Sequence, residues 1–223
     1  MARATLSEQV FTELKGRILG YRWPAGERLH VDQIAKELDV SVSPVKEALK
    51  QLEATGLVEI HARRGTRVRS FTEQDVVDIF AAREILEPNV AIQAIRNGGV
   101  DGAMMAELDE TISRLEALRD GAGFTSVVGA MEADGDFHRA IARGTGNRVL
   151  ESMQSALADQ AHLIRYFSTT APRALDTLAE HRAIRDALVA GDESGVEQFA
   201  RDHIHAVRTR ILVDMRKGDG KSL

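Results

Sequence analysis

The chain has 223 residues, 43% hydrophobic, 28% charged and 4% aromatic, with 29 Lys/Arg against 34 Asp/Glu for a net charge of −5. It has no cysteine, which excludes a disulfide scaffold, a cysteine zinc finger, an iron–sulfur cluster and a thiol nucleophile. No apolar run approaches the ~20 residues of a membrane helix, and the first residues hold no apolar signal core, so a cytoplasmic protein is expected.

Residues 5–20 place Leu6, Val10, Leu14 and Ile18 at helical spacing, ended by Gly20. Trp23-Pro24-Ala25-Gly26-Glu27 reads as a turn. A short helix follows from Val31 to Leu38, then the tight connection Asp39-Val40-Ser41. A second helix runs from Val42 to Thr55, with Val45, Ala48, Leu49 and Leu52 on one face and Gly56 past its end. Leu57–Ile60 and Thr66–Arg69 read as two strands joined by His61-Ala62-Arg63-Arg64-Gly65. After Phe71 every segment has helical period. Thr72 is an N-cap, and helices are expected near 73–97, 101–119, 125–144, 147–168, 173–190 and 193–216, with breaks that include Ser168 to Pro172. Pro88 should kink the first of them, and the tail from Lys217 is expected to fray. The fold class is mainly α: an N-terminal winged helix-turn-helix, residues 1–71, and a C-terminal bundle of about six helices, residues 72–223.

Charge divides at the same place. Residues 1–71 carry 12 Lys/Arg and 9 Asp/Glu; the rest carry 17 and 25. A basic front on an acidic back suggests different partners. In a winged helix-turn-helix the second helix enters the major groove of double-stranded DNA, and its exposed N-terminal side chains reach the bases. Here these are Val42, Ser43 and Lys46, with Lys50 a turn on. Ser41 or Ser43 can cap the helix, whose free amides suit a phosphate. Arg63 and Arg64 at the wing tip can reach an adjacent groove or the backbone. A helical hairpin for protein contacts, with a solvated arginine turn, has the same spacing.

Five of the seven histidines lie between residues 138 and 205. Asp134 and His138 are i and i+4 on one expected helix; His181 and His203 lie on two later ones. If these helices pack side by side, one carboxylate and three imidazoles converge into a set suited to a divalent cation. Taken singly, each histidine is more often a surface or satisfied core residue. His162 and His205 are assigned to that ordinary role, and Asp136 faces away from His138.

Pro24-Ala25-Gly26-Glu27-Arg28-Leu29, Ile34-Ala35-Lys36-Glu37-Leu38, Val40 through Leu49 and Leu52-Glu53-Ala54-Thr55-Gly56-Leu57-Val58 resemble the GntR family of bacterial regulators. The family usually has arginine where this chain has Val42 and Lys46. Arginine and lysine differ at bidentate sites, and valine can only pack on a thymine methyl, so a different operator is implied. Asp134 through Ile141, Glu180-His181-Arg182-Ala183-Ile184 and Asp202-His203-Ile204 resemble the C-terminal FCD effector domain of the FadR-type branch. That resemblance implies a metal held by Asp134, His138, His181 and His203, with zinc as first choice and nickel, manganese or iron compatible. It also implies a small carboxylate effector in the bundle. Arg83, in Ala82-Arg83-Glu84-Ile85-Leu86-Glu87-Pro88, is then a candidate partner for that carboxylate, or else pairs with Glu84 or Glu87. The expected protein is a ligand-responsive homodimeric transcription regulator, a repressor before an activator, and not an enzyme. Two rivals are a metal-dependent enzyme on a DNA-targeting head and a constitutive DNA-binding protein with a structural metal.

Overall fold

A computed structural model describes residues 4–121, 123–168 and 174–217. Of the expected connection Ser168–Pro172, all but Ser168 lies outside the described residues, as does the tail beyond Lys217. The chain divides into two compact units, the first ending at Phe71 and the second starting at Thr72.

In the first unit, α1 (Leu6–Leu19) opens with a capping box. The Thr5 hydroxyl accepts from the Glu8 N–H, and the Glu8 carboxylate accepts from the Thr5 N–H at 2.6 Å. The helix buries Val10, Leu14 and Ile18. After β1 (Arg28–Leu29) come α2 (Val31–Glu37) and α3 (Val42–Ala54). Asp39, between the two helices, has φ +52, a left-handed conformation that Asp tolerates better than most residues. Val45, Ala48, Leu49 and Leu52 form the buried stripe of α3, which packs on α1 and α2. Gly56, at φ +74, ends the helix in a Schellman motif: its N–H reaches Glu53 O at 2.9 Å, and the Leu57 N–H reaches Leu52 O at 3.0 Å.

The wing strands are β2 (Val58–His61) and β3 (Gly65–Val68), with β1 added on the other side of β3 in the order β1-β3-β2, all antiparallel. The expected strands shift by one residue. The loop tightens to Ala62-Arg63-Arg64 because the Arg64 N–H closes on His61 O at 3.2 Å and Gly65 takes φ +78. The third strand was not expected, since two residues are too few to show alternation.

The second unit holds α4 (Glu73–Arg96), α5 (Gly102–Ala117), α6 (Val127–Gly144), α7 (Arg148–Ser168), α8 (Ala174–Ala190) and α9 (Glu193–Lys217). A two-residue hairpin, β4 (Arg119–Asp120) with β5 (Gly123–Phe124), joins α5 to α6 where only a break was expected. Thr72 caps α4 in a second capping box, with Asp75. The central core gathers Leu108, Leu115, Ala133, Phe137, Leu188 and Val196. α4 packs on α6, α7 and α9, and α8 packs on α5 and α9.

α4 continues through Pro88 as one helix. Proline has no N–H to give Glu84 O, and Arg201 of α9 donates to that carbonyl instead at 3.3 Å. Where the α4–α5 turn crosses the end of α6, a Cβ on Gly99 would stand 1.7 Å from Gly144 O. Only glycine permits so close an approach of two backbones.

Candidate functional site

The first unit presents α3 and the wing tip. Ser41 is the N-cap of α3, but its side chain makes no capping bond, so neither serine caps as expected. Ser41, Ser43, Lys46 and Lys50 are exposed on the face opposite the buried stripe, and Val42 is half-buried. Arg63 and Arg64 are exposed in the loop between β2 and β3. Polar and cationic groups thus stand on two separate elements of a basic unit.

The second unit buries a cluster. Asp134 and His138 face inward one turn apart on α6, His181 comes from α8 and His203 from α9. One ligand atom from each lies within 4.8 Å of the others. None of the four residues is more than 6% exposed. Among the described residues, Asp134 Oδ1, His138 Nε2, His203 Nε2 and both nitrogens of His181 have no hydrogen-bond partner. His181 Nε2 lies 3.4 Å from Asp134 Oδ1 without a directed bond. Buried polar atoms are nearly always satisfied, so several unsatisfied atoms meeting at one point call for a cation.

The outer atoms of the cluster are held firmly. His203 Nδ1 is 2.7 Å from Glu180 Oε2, and Arg210 donates to both oxygens of Glu180 at 3.1 and 3.3 Å. His138 Nδ1 lies 3.0 Å from Glu87 Oε2, and Arg83 Nε donates to Glu87 Oε1 at 2.5 Å. Arg165 Nη1 donates to Asp134 Oδ2 at 2.5 Å. An arginine-backed carboxylate behind an imidazole fixes its orientation and leaves the opposite nitrogen for a metal. His181 is held differently: its ring stacks on Phe137 at 4.2 Å with an interplanar angle of 2°.

Protonation follows from this packing. Burial pushes His181 down to about 4, against the smaller opposing pull of Asp134. It also lowers His203, with Glu180 opposing. Burial alone would raise Asp134, but Arg165 and then His181 and His138 outweigh it and hold the carboxyl well below its usual range. Glu87 is likewise raised by burial and carried far down by Arg83 and His138. Near neutral pH the cluster therefore offers a carboxylate and, at His181, a free imidazole lone pair.

The other expected residues fall elsewhere. Asp136 is bound by Arg114 at 2.5 Å and Arg139 at 2.7 Å, away from the cluster. His162 and His205 also lie outside it. Arg83 is 2% exposed and joined to Glu87, one of its two expected pairings, but in the interior and not at the surface. Sequence reasoning missed Glu180, Arg165 and Arg210, and named Glu87 only as a partner of Arg83, not of His138. The i, i+4 spacing of Arg83 and Glu87 was the one available signal; the partner of Glu180 comes from a different helix.

Two family models match the chain: "Bacterial regulatory proteins, gntR family" over residues 6–68 and "FCD domain" over residues 78–206. Among curated relatives, the "Probable D-xylose utilization operon transcriptional repressor" of Paenarthrobacter nicotinovorans is 30% identical, covering 92% of this chain and 88% of that one. The HTH-type transcriptional repressor GlaR of Escherichia coli is 28% identical, covering 86% of this chain and 89% of its own. The solved structure of E. coli McbR/YncC shares the fold with a TM-score of 0.78 at 20% identity, over 96% of this chain and 99% of that one.

Proposed function

The chain belongs to the GntR family of bacterial regulatory proteins and carries the FCD domain, and from that premise we propose a homodimeric repressor that binds a divalent metal ion and a small carboxylate in its helical unit. It is a DNA-binding transcriptional regulator, not an enzyme. No helix of the described residues is long and apolar enough to cross a membrane, and a regulator of this kind works beside the chromosome in the cytoplasm.

The observation that carries the metal reading is the set of unpartnered donor atoms on Asp134, His138, His181 and His203, all within 4.8 Å. One carboxylate and three imidazoles suit zinc, with nickel, manganese or iron compatible. Such a metal supplies a Lewis acid for a carboxylate oxygen. Arg83 is the further candidate for the effector; with Nε engaged by Glu87, it meets a carboxylate at the rest of its guanidinium or by displacing Glu87.

In the first unit, Ser41, Val42, Ser43, Lys46 and Lys50 are proposed to read or clamp the operator from the start of α3, with Arg63 and Arg64 from the wing. The uncapped start of α3 leaves backbone amides for a phosphate. Two copies would meet two half-sites about one helical turn or a multiple apart. The effector weakens operator binding only if it prefers the DNA-incompetent state.

Native mass spectrometry of full-length protein purified without chelator tests the reading. The expected species is a dimer with one metal per chain, lost in His138→Ala and kept in Asp136→Ala. A dimer that stays metal-free after exposure to zinc, nickel and manganese overturns it. Metal that no acid accompanies, with operator affinity unmoved by any acid, favours a structural ion.

A further inference from the structure

Arginine backs the carboxylates around the cluster, and one case differs from the others. Arg83 and Arg210 grip Glu87 and Glu180, which stand behind His138 and His203. Arg165, on α7, grips a member of the cluster itself. Its Nη1 donates to Asp134 Oδ2 at 2.5 Å, and both side chains are largely buried. The other oxygen, Oδ1, has no hydrogen-bond partner among the described residues and lies 3.4 Å from His181 Nε2. The carboxylate is thus divided, with one oxygen turned to the imidazoles and one taken by the guanidinium.

A carboxylate left to itself can give a cation one oxygen or both. A charge-assisted bond from arginine is among the stronger hydrogen bonds, and it opposes the second mode: a cation that reaches for Oδ2 meets the guanidinium charge already seated there. The donor set is held at one oxygen and three nitrogens. Metals differ in how much they lose by this. Zinc accepts four donors and takes imidazole readily, whereas manganese favours carboxylate and other oxygen donors.

We propose that Arg165 is a specificity-determining residue for the metal: by occupying Asp134 Oδ2 it keeps the donor set rich in nitrogen and so favours zinc over manganese. The inference rests on the reading above, that the cluster holds a divalent cation. Arg165 touches no cation in this arrangement and acts through Asp134. Its positive charge by itself would weaken all divalent ions by one factor, because they carry the same charge. The signature of the divided carboxylate is therefore the ratio of two affinities and not either affinity alone.

The test is equilibrium dialysis of the full-length protein against chelator-buffered zinc and, separately, against manganese, with bound metal counted by elemental mass spectrometry. The natural chain is expected to bind one ion of either metal, zinc far more tightly. In Arg165→Met, which removes the donor, the ratio of the two dissociation constants falls about ten-fold or more, the scale on which such supporting partners act. Manganese gains affinity and zinc changes less. Arg165→Lys, which can still donate to the same oxygen, keeps the natural ratio. Circular dichroism without metal checks that each variant is folded; if Arg165→Met is not, Arg165→Gln, whose amide ends two bonds short of the Nη1 position, takes its place. Both metals shifting by one factor in a folded variant, so that the ratio stands, means that Arg165 acts by charge alone, and overturns the assignment while leaving the metal reading intact. A ratio that falls as far in Arg165→Lys as in Arg165→Met also overturns it. A natural chain that binds neither metal overturns both readings together.

Discussion

Replacing His181 by leucine separates packing from ligation. The residue is fully buried, and neither ring nitrogen has a hydrogen-bond partner among the described residues. Each unsatisfied buried polar group costs about 1–3 kcal/mol, while the stack on Phe137 returns about 0.5–1.5 kcal/mol. Leucine fills a similar volume and removes the unsatisfied atoms. Metal-free His181→Leu should therefore match or exceed the natural chain in stability by about 1 kcal/mol, or about 2–4 °C in Tm for a unit of this size. Zinc at about a hundred times its Kd should stabilise the natural chain by about 2.7 kcal/mol, or roughly 5–10 °C. The variant should show none of that shift. Thermal unfolding followed by circular dichroism, with chelator and then with zinc, reads both quantities. A variant that is several degrees less stable without metal but keeps the full zinc shift would refute the reasoning, because His181 would then be packing and not ligand.

Acidity provides a second check. In the open chain His181 titrates near 6.5 and in the fold near 4, so the unfolded state takes up the proton first as pH falls. Metal-free stability should be full above that upper value and decline between the two, by about 3 kcal/mol; urea midpoints that stay flat across this window would contradict it. Gly99→Ala puts a Cβ 1.7 Å from Gly144 O and should cost about 3 kcal/mol or more. Gly98→Ala, which meets nothing within 4 Å but sits at φ +68, should cost only about 1 kcal/mol. Equal chemical-denaturation midpoints for the two would dismiss the crossing. Lys46→Ala and Arg64→Ala should each weaken operator binding, and a side chain that pairs with one phosphate should, on removal, flatten the log–log salt slope by about 0.9. Unchanged affinity and slope in both variants would remove these residues from the interface.

Periodicity placed the helices well because each buries a stripe long enough to show its period. α3 is the clearest case, with four inward positions followed by Gly56. Where a signal needs a partner distant in sequence, the reading fell short. β1 is two residues whose pairing exists only against β3. The donor that replaces the missing Pro88 N–H at Glu84 O, Arg201, arrives from another helix. The four cluster residues were recognisable by type and spacing, but the groups that orient them looked like ordinary surface charges. Glu180 is the next residue to His181 yet serves His203, because neighbours on a helix point about 100° apart.

The arginine-backed carboxylates around the cluster carry an arithmetic of their own. Arg83 with Glu87, Arg165 with Asp134 and Arg210 with Glu180 are matched charges, and at His181 burial favours the neutral ring. The apoprotein interior is thus balanced, and a divalent cation upsets it by two units in a region with little water to screen them. An anion restores much of that balance. Metal and acid then cease to be independent ligands: whatever factor the ion adds to the acid's affinity, the acid must return to the ion. If the proposed metal and acid both bind, the regulator would report neither concentration alone: its response to a metabolite would depend on how much metal the cell keeps available.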